Sequence, residues 1–304
     1  MNSSKLLSLS LLLVTLAAIS NDVFAMRKKP NSGGRRKVRP NSHRRPSRTR
    51  STRRKSNMRN IRAVAEGAEG NVIKVFDANA PQNAKLYYGH SKRIDQIVFN
   101  RDKTRMAACA NEDEKIIIWD SSDTDYHKWR QLKTIVGHTI SMAFSPCGKY
   151  LVYGSGDGTD EGPIVILDIS NPDPKKWYEL KKIRVNREYI GDYRLGDLGF
   201  GYIYSLMFNH DGTKLAFALP KNVPHDYTPG VVQVLDTSSW KLLRTLRPSC
   251  IDRDGDPRSY PVKFSNDGRK LVVEVIGDPS YTETWNISSR NPKNWTSDCE
   301  RFKE

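Results

Sequence analysis

Three sets of residues have the types and spacing to do chemistry. The first is the stretch 251–260, IDRDGDPRSY, which sets Asp252, Asp254 and Asp256 at alternate positions like the opening of a calcium loop. Pro257 stands where that turn needs Gly, and no Glu follows at the twelfth position, so the stretch reads as a solvated loop ended by proline. The second set is Cys109, Cys147, Cys250 and Cys299, spaced like no metal motif and joined by no Cys/His cluster that suggests zinc. No metal and no cofactor is expected. The third is a run of cations at 26–62, which holds sixteen Lys or Arg and no Asp or Glu among Pro, Ser, Asn and Gly. Arg35, Arg36, Lys37, Arg44, Arg45, Arg53, Arg54 and Lys55 are its densest clusters. Such a run binds phosphate-rich polymers by releasing their counterions, and without interleaved aromatics it offers no base stacking.

Charge is divided sharply along the chain. With Lys5, Asp22 and the sixteen cations set aside, 33 basic and 33 acidic residues remain, so the net charge of +16 belongs to the basic run. That run has little to bury and is expected to be disordered over 26–60. Nucleic acid, an acidic polysaccharide and anionic lipid headgroups all satisfy its chemistry; a solvated linker is the plainer reading. Before it, Lys5, the apolar run 6–19 and Val23-Phe24-Ala25 have the order of a signal peptide spanning 1–25. An uncleaved anchor is the rival, though the run is shorter than the roughly 20 residues that span a bilayer. The expected destination is the periplasm or the exterior, where disulfides are permitted.

The elements that must position the remaining residues repeat. FNRDKTRM at 99–106, FSPCGKYL at 144–151, FNHDGTKL at 208–215 and FSNDGRKL at 264–271 each close one strand, turn through Asn or Ser and a residue suited to positive φ, and open the next strand. A β-branched run ending in Asp or Asn recurs as VIKVFD at 72–77, KIIIWD at 115–120, PIVILD at 163–168, VVQVLD at 231–236 and TETWN at 282–286. Trp129, Trp177 and Trp295 each fall nine positions after such a run, and Trp240 falls four after. Gly89-His90 and Gly137-His138 precede their closing Asp by thirty residues, counted from the His. Four cysteines allow three pairings; Cys250 with Cys299 is preferred because both fall near outer strands of one late repeat, with buried free thiols as the alternative.

With its Gly-His pair, hairpin and closing Trp-Asp, the chain resembles the WD-repeat β-propeller family over 61–304, most strongly from Gly89-His90 to Trp119-Asp120. The resemblance implies a degenerate, bacterial-type exported member. Its fold would be all-β, a propeller of about five four-stranded blades following a signal peptide and a disordered basic tail. The first unit lacks its innermost strand, so the ring is either closed by five irregular blades or left incomplete and open, with an edge to be covered. Family strand positions predict a second blade with strands near 94–99, 104–109, 115–119 and 130–135. The later blades would span 139–184, 202–246 and 260–302. In the first unit, strands are expected from Ile61, over 72–76 and over 85–88.

The family's buried network of His, Asp, hydroxyl and Trp maps onto His90, Asp113 and Trp119, with Ala108 and Cys109 in place of the hydroxyl. It maps onto His138 and Ser155 in the next unit, where Leu167 replaces Trp and Asp157 or Asp160 would be the acid. A His beside an Asp has the makings of a catalytic pair, but nothing nucleophilic lies at a matching spacing, and a structural role is expected. The family strand order puts the insertions at 155–162, 185–201, 219–230 and 247–258 on one face. There Tyr189, Tyr193, Arg194, His225, Tyr227, Arg253 and Asp254, with Tyr202 nearby, would form a partner-binding face for a protein or peptide. Glu66–Gly70, Asn111–Glu114 and the segment 156–162 add acids to it. A non-enzymatic scaffold is the expected function. A propeller hydrolase or lyase at that face, or a decayed remnant of a longer propeller, are the alternatives.

Overall fold

The computed structural model describes residues 60–155, 164–184, 203, 205–219, 231–248, 261–275 and 281–301. They form five antiparallel sheets. The first holds β1 (Ile61–Glu66), β2 (Val72–Asp77) and β3 (Ala80–Tyr87); the second holds β4 (Gln96–Phe99), β5 (Arg105–Ala110), β6 (Lys115–Asp120) and β7 (Arg130–Val136). The third is β8 (Met142–Phe144), β9 (Tyr150–Gly154), β10 (Ile164–Asp168) and β11 (Tyr178–Ile183). The fourth is β12 (Ser205–Phe208), β13 (Lys214–Leu219), β14 (Val231–Asp236) and β15 (Lys241–Leu246). The fifth is β16 (Val262–Phe264), β17 (Lys270–Val275), β18 (Tyr281–Asn286) and β19 (Thr296–Arg301). Each four-stranded sheet follows chain order, and the short strands β4, β8, β12 and β16 adjoin one another in sequence, as the inner strands of propeller blades do.

The turn residues explain the hairpins. Asn100 accepts from the Arg105 N–H at 2.9 Å, Asn209 from Lys214 at 2.8 Å, and the hydroxyls of Ser145 and Ser265 accept from Tyr150 and Lys270. The fourth turn residue takes positive φ, as Gly148, Gly212 and Gly268 in three blades and as Lys103 in the second. Closing acids perform a second local task. Asp120, Asp168 and Asp236 accept from the N–H and hydroxyl of the Ser two residues on, and Asn286 does the same for Ser288.

The recurring Trp belongs to a short module. Asp125, Asp173 and Asn291 cap one-turn 3-10 helices at Tyr126–Lys128, Pro174–Lys176 and Pro292–Asn294. The Trp that follows folds its indole back, and Nε1–H donates to the carbonyl six residues earlier: Trp129 to Asp123, Trp177 to Asn171 and Trp295 to Ser289, at 2.7–2.9 Å. A cation on the outer strand of the preceding blade then reaches the end of each 3-10 turn. Lys85 donates to the His127 carbonyl, Lys133 to those of Pro174 and Trp177, and Arg244 to those of Pro292 and Trp295. Each of these blades is thereby fastened to the next through carbonyls at the end of the short helix, of which those of Pro174 and Pro292 also accept from the N–H of the capping Trp.

Four apolar clusters fill the spaces between successive sheets. Val75 and Tyr87 meet Met106 and Trp119; Ile118 meets Met142 and Leu151; Ile166 meets Leu206 and Phe217; Val234 meets Leu271 and Trp285. In the first sheet the outer strand begins at Ala80, earlier than the expected 85, and ends at Tyr87. Asp77 tightens the preceding turn onto Asn79 N–H, and Pro81 is accommodated because β3 is an edge strand.

Candidate functional site

Connections from second to third strand and from fourth strand to the next sheet emerge on one face. The Ile94 N–H donates to the Gly70 carbonyl, Ser91 N–H to Asp113 and Asn111 N–H to Asp95, tying the first two blades together there, and Gly137 N–H donates to the Glu114 carbonyl at the end of the β6–β7 ladder. By strand order, loops 156–163, 185–202, 220–230 and 249–260 connect the same strand ends. Tyr189, Tyr193, Arg194, Tyr202, His225, Tyr227, Arg253 and Asp254 all lie outside the described residues, as do Asp157, Asp160, Asp252, Asp256 and the basic run up to residue 59.

The best-formed constellation is at His90. Gly89 holds φ +144°, and a Cβ there would sit 2.8 Å from Ile117 Cδ1, so only glycine lets the chain enter at this angle. His90 Nδ1 then meets Asp113 Oδ2 at 3.0 Å, with both side chains almost fully buried. Asp113 also accepts from the N–H groups of Ser91 and Lys115. Nδ1–H is the donor to this carboxylate, which leaves Nε2 as the unprotonated nitrogen. Nε2 has no hydrogen-bond partner. The ring lies 6.4 Å from Trp119, centroid to centroid, and Ala108 offers a methyl group on the same face as that indole. Burial is the chief reason the imidazole is less basic than usual; Asp113 opposes that effect, and the Ala108 backbone does so without completing a hydrogen bond.

Its counterpart in the third blade is built differently. His138 is 39 % exposed at its side chain, and its Nε2 approaches Glu114 of the second blade at 3.4 Å. It therefore bridges two loops at the surface. Ser155 is half-buried just beyond the end of β9. Sequence spacing missed the His138–Glu114 pair because it joins two units rather than residues of one. Asp95 is another residue that pattern alone did not single out: burial raises its carboxyl above the usual carboxylate range, while the Asn111 N–H at 2.7 Å and Arg93 oppose the rise.

The face also carries Tyr88, Val136, Glu112 and Glu114, with Tyr88 and Val136 exposed beside the two Gly-His pairs. Among the described residues no group of three or more His, Cys, Asp or Glu is arranged to hold a metal. Cys109 is a buried thiol and Cys147 an exposed one, whereas Cys299 is disulfide-bonded. Burial raises the Cys109 thiol far above its ordinary range, which makes it a poor nucleophile.

The family model for the WD domain, G-beta repeat, matches residues 82–120 and 129–159. Protein ANTHESIS POMOTING FACTOR 1 of Arabidopsis thaliana is 29 % identical over 108 residues, covering 34 % of this chain and 31 % of that protein. The chain thus matches about a third of the plant protein's length. Among solved structures, Kuenenia stuttgartiensis hydrazine synthase aligns with a TM-score of 0.57 at 12 % identity, covering 81 % of this chain and 63 % of that one. The Cps50 (Swd1) β-propeller domain of Myceliophteria thermophila aligns with a TM-score of 0.53 at 13 % identity, covering 82 % and 70 %. These two show the fold. The repeat matches, the Gly-His and Trp-Asp landmarks in register and the five blade-like sheets together show WD repeats at 82–120 and 129–159 within a chain that has the β-propeller fold.

Proposed function

We propose that this chain is an exported, non-enzymatic scaffold whose propeller holds a protein or peptide on its loop-bearing face while the segment 26–60 tethers it to an anionic polymer or surface. Protein-binding platforms are the usual role of WD-repeat propellers, and the buried His90–Asp113 pair is occupied in holding two loops together. The observation that carries the tether is the confinement of the whole net charge of +16 to one run beside a neutral remainder. The disulfide at Cys299 supports export, since such bonds persist in oxidising compartments. Partner recognition is assigned to the inserted loops, with Tyr189, Tyr193, Arg194, His225, Tyr227, Arg253 and Asp254 as its side chains.

The test compares the chain starting at Met26 with one starting at Asn60 for binding to heparin, DNA and anionic vesicles across a salt series. The longer chain should bind at low salt, with an affinity that falls steeply as salt rises, and the shorter should lose that binding. Equal binding by both removes the tether. Mass spectrometry of the secreted product checks export: a mature N-terminus at Met26 is expected, and retention of residues 1–25 would overturn it.

A further inference from the structure

The fifth blade departs from the repeat in a way that creates two acceptor sequences for an N-linked glycan. Of the Asn residues after residue 25, only Asn286 and Asn294 stand two positions before a Ser or Thr, as Asn286-Ile287-Ser288 and Asn294-Trp295-Thr296. The equivalent residues of the other blades differ. Where Asn286 closes β18, Asp120, Asp168 and Asp236 close β6, β10 and β14, each with Ser two positions on. Where Asn294 ends its 3-10 turn and Thr296 follows the Trp, the second blade has Lys128 and Arg130 and the third has Lys176 and Tyr178. Asp or Lys cannot accept the glycan, so both acceptors exist because this blade breaks the pattern.

The geometry suits the modification. In each triplet the middle side chain is buried, Ile287 and Trp295 anchoring the segment, while the Asn and the hydroxyl residue on either side are exposed. Asn286 Oδ1 accepts from the Ser288 N–H at 3.1 Å and from its hydroxyl at 2.7 Å. The turn therefore calls on Oδ1 alone, and a sugar on Nδ2 leaves both bonds in place because the substituted amide keeps its carbonyl. Asn294 is held by its backbone N–H, which donates to the Asn291 carbonyl at 3.0 Å. Asn286 stands opposite Thr296 in the β18–β19 register, so the two acceptors share one corner of the sheet. That corner is a third-to-fourth-strand connection, on the side away from the inserted loops. We propose that Asn286 and Asn294 carry N-linked glycans, which shield the face opposite the loops and leave the loop-bearing face open to a partner. The inference rests on the export reading, because the transfer takes place on chains that cross the export membrane. The donor is an oligosaccharide on a polyprenyl pyrophosphate: the Nδ2–C1 bond forms as the C1–O bond to the pyrophosphate breaks, Nδ2 releases one proton, and the lipid pyrophosphate leaves without any change of oxidation state.

The test expresses the full chain in secreting eukaryotic cells, once with residues 1–25 and once with a proven leader in their place, and reads intact mass before and after peptide N-glycosidase. The enzyme should remove two glycans from the parent protein and leave Asp at positions 286 and 294. It should remove one from Asn286→Asp or Asn294→Lys, and none from the double variant. These substitutions install the residue types that the other blades carry at the same places, so the near-ultraviolet circular dichroism spectrum should not change. An unmodified Asn286 or Asn294 in the chain secreted behind the proven leader overturns the proposal and leaves that Asn as a turn residue alone. A chain glycosylated behind the proven leader but retained and unmodified behind residues 1–25 supports the acceptors and overturns export.

Discussion

Single side chains in this propeller act mainly as joints, and their loss should be read as stability. Asp113 accepts from His90, Ser91 and Lys115 while its side chain is 2 % exposed. Asp113→Ala should cost about 3 kcal/mol, measured by denaturant unfolding, because three donors lose their acceptor. The sign of the His90 effect follows from its lowered pKa. Protonation is taken up more readily by the unfolded chain, so the stability it contributes is complete above the ordinary histidine value of about 6.5 and declines as pH falls below it. Unfolding midpoints recorded between about pH 7.5 and 5, a window that brackets that value, should drop less for His90→Gln than for the parent protein. Ala108→Ser should supply the hydroxyl that Nε2 lacks and add about 1 kcal/mol; a lower midpoint would show that the hydroxyl is buried without reaching the ring. Gly212 holds φ +75°, and a Cβ there would lie 3.3 Å from Pro146 Cδ, so Gly212→Ala should cost about 1–2 kcal/mol in the same assay.

At the scale of elements, the legible and illegible parts of the fold divide by range. Hairpins such as 208–215 were readable because Asn209, Asp211 and Gly212 satisfy their own turn through bonds two to five residues apart. The Trp module was visible as a spacing, but its purpose was not: Lys133 and Arg244 look like ordinary outer-strand cations until the next blade brings a 3-10 turn against them. The same limit hid the His138–Glu114 bridge, since nothing local marks which loops of different blades will touch. The onset of β3 at Ala80 was missed because APQNA has no β-branched residue and contains Pro81. Arg244→Ala removes charge-assisted bonds to the Pro292 and Trp295 carbonyls as well as packing over Trp285, and should destabilise the last two blades by about 2 kcal/mol. Limited proteolysis should then cut first after residue 246, and unaltered cleavage would show that the latch contributes little.

At the scale of the whole molecule, a neutral propeller and a strongly basic leader segment divide the proposed tasks of recognition and tethering. The four clusters impose a different kind of order. Each joins only adjacent sheets, so the first and fifth sheets have one described core partner and the three between them have two. Stability arranged this way behaves as a row of nearest-neighbour couplings, and opening starts where couplings are fewest. Amide hydrogen exchange should accordingly rank protection by position: slowest in β9 and β10, faster in β1 and β2 and in β18. The first sheet, with three described strands and a core neighbour on one side only, would then be the place where this molecule first comes apart.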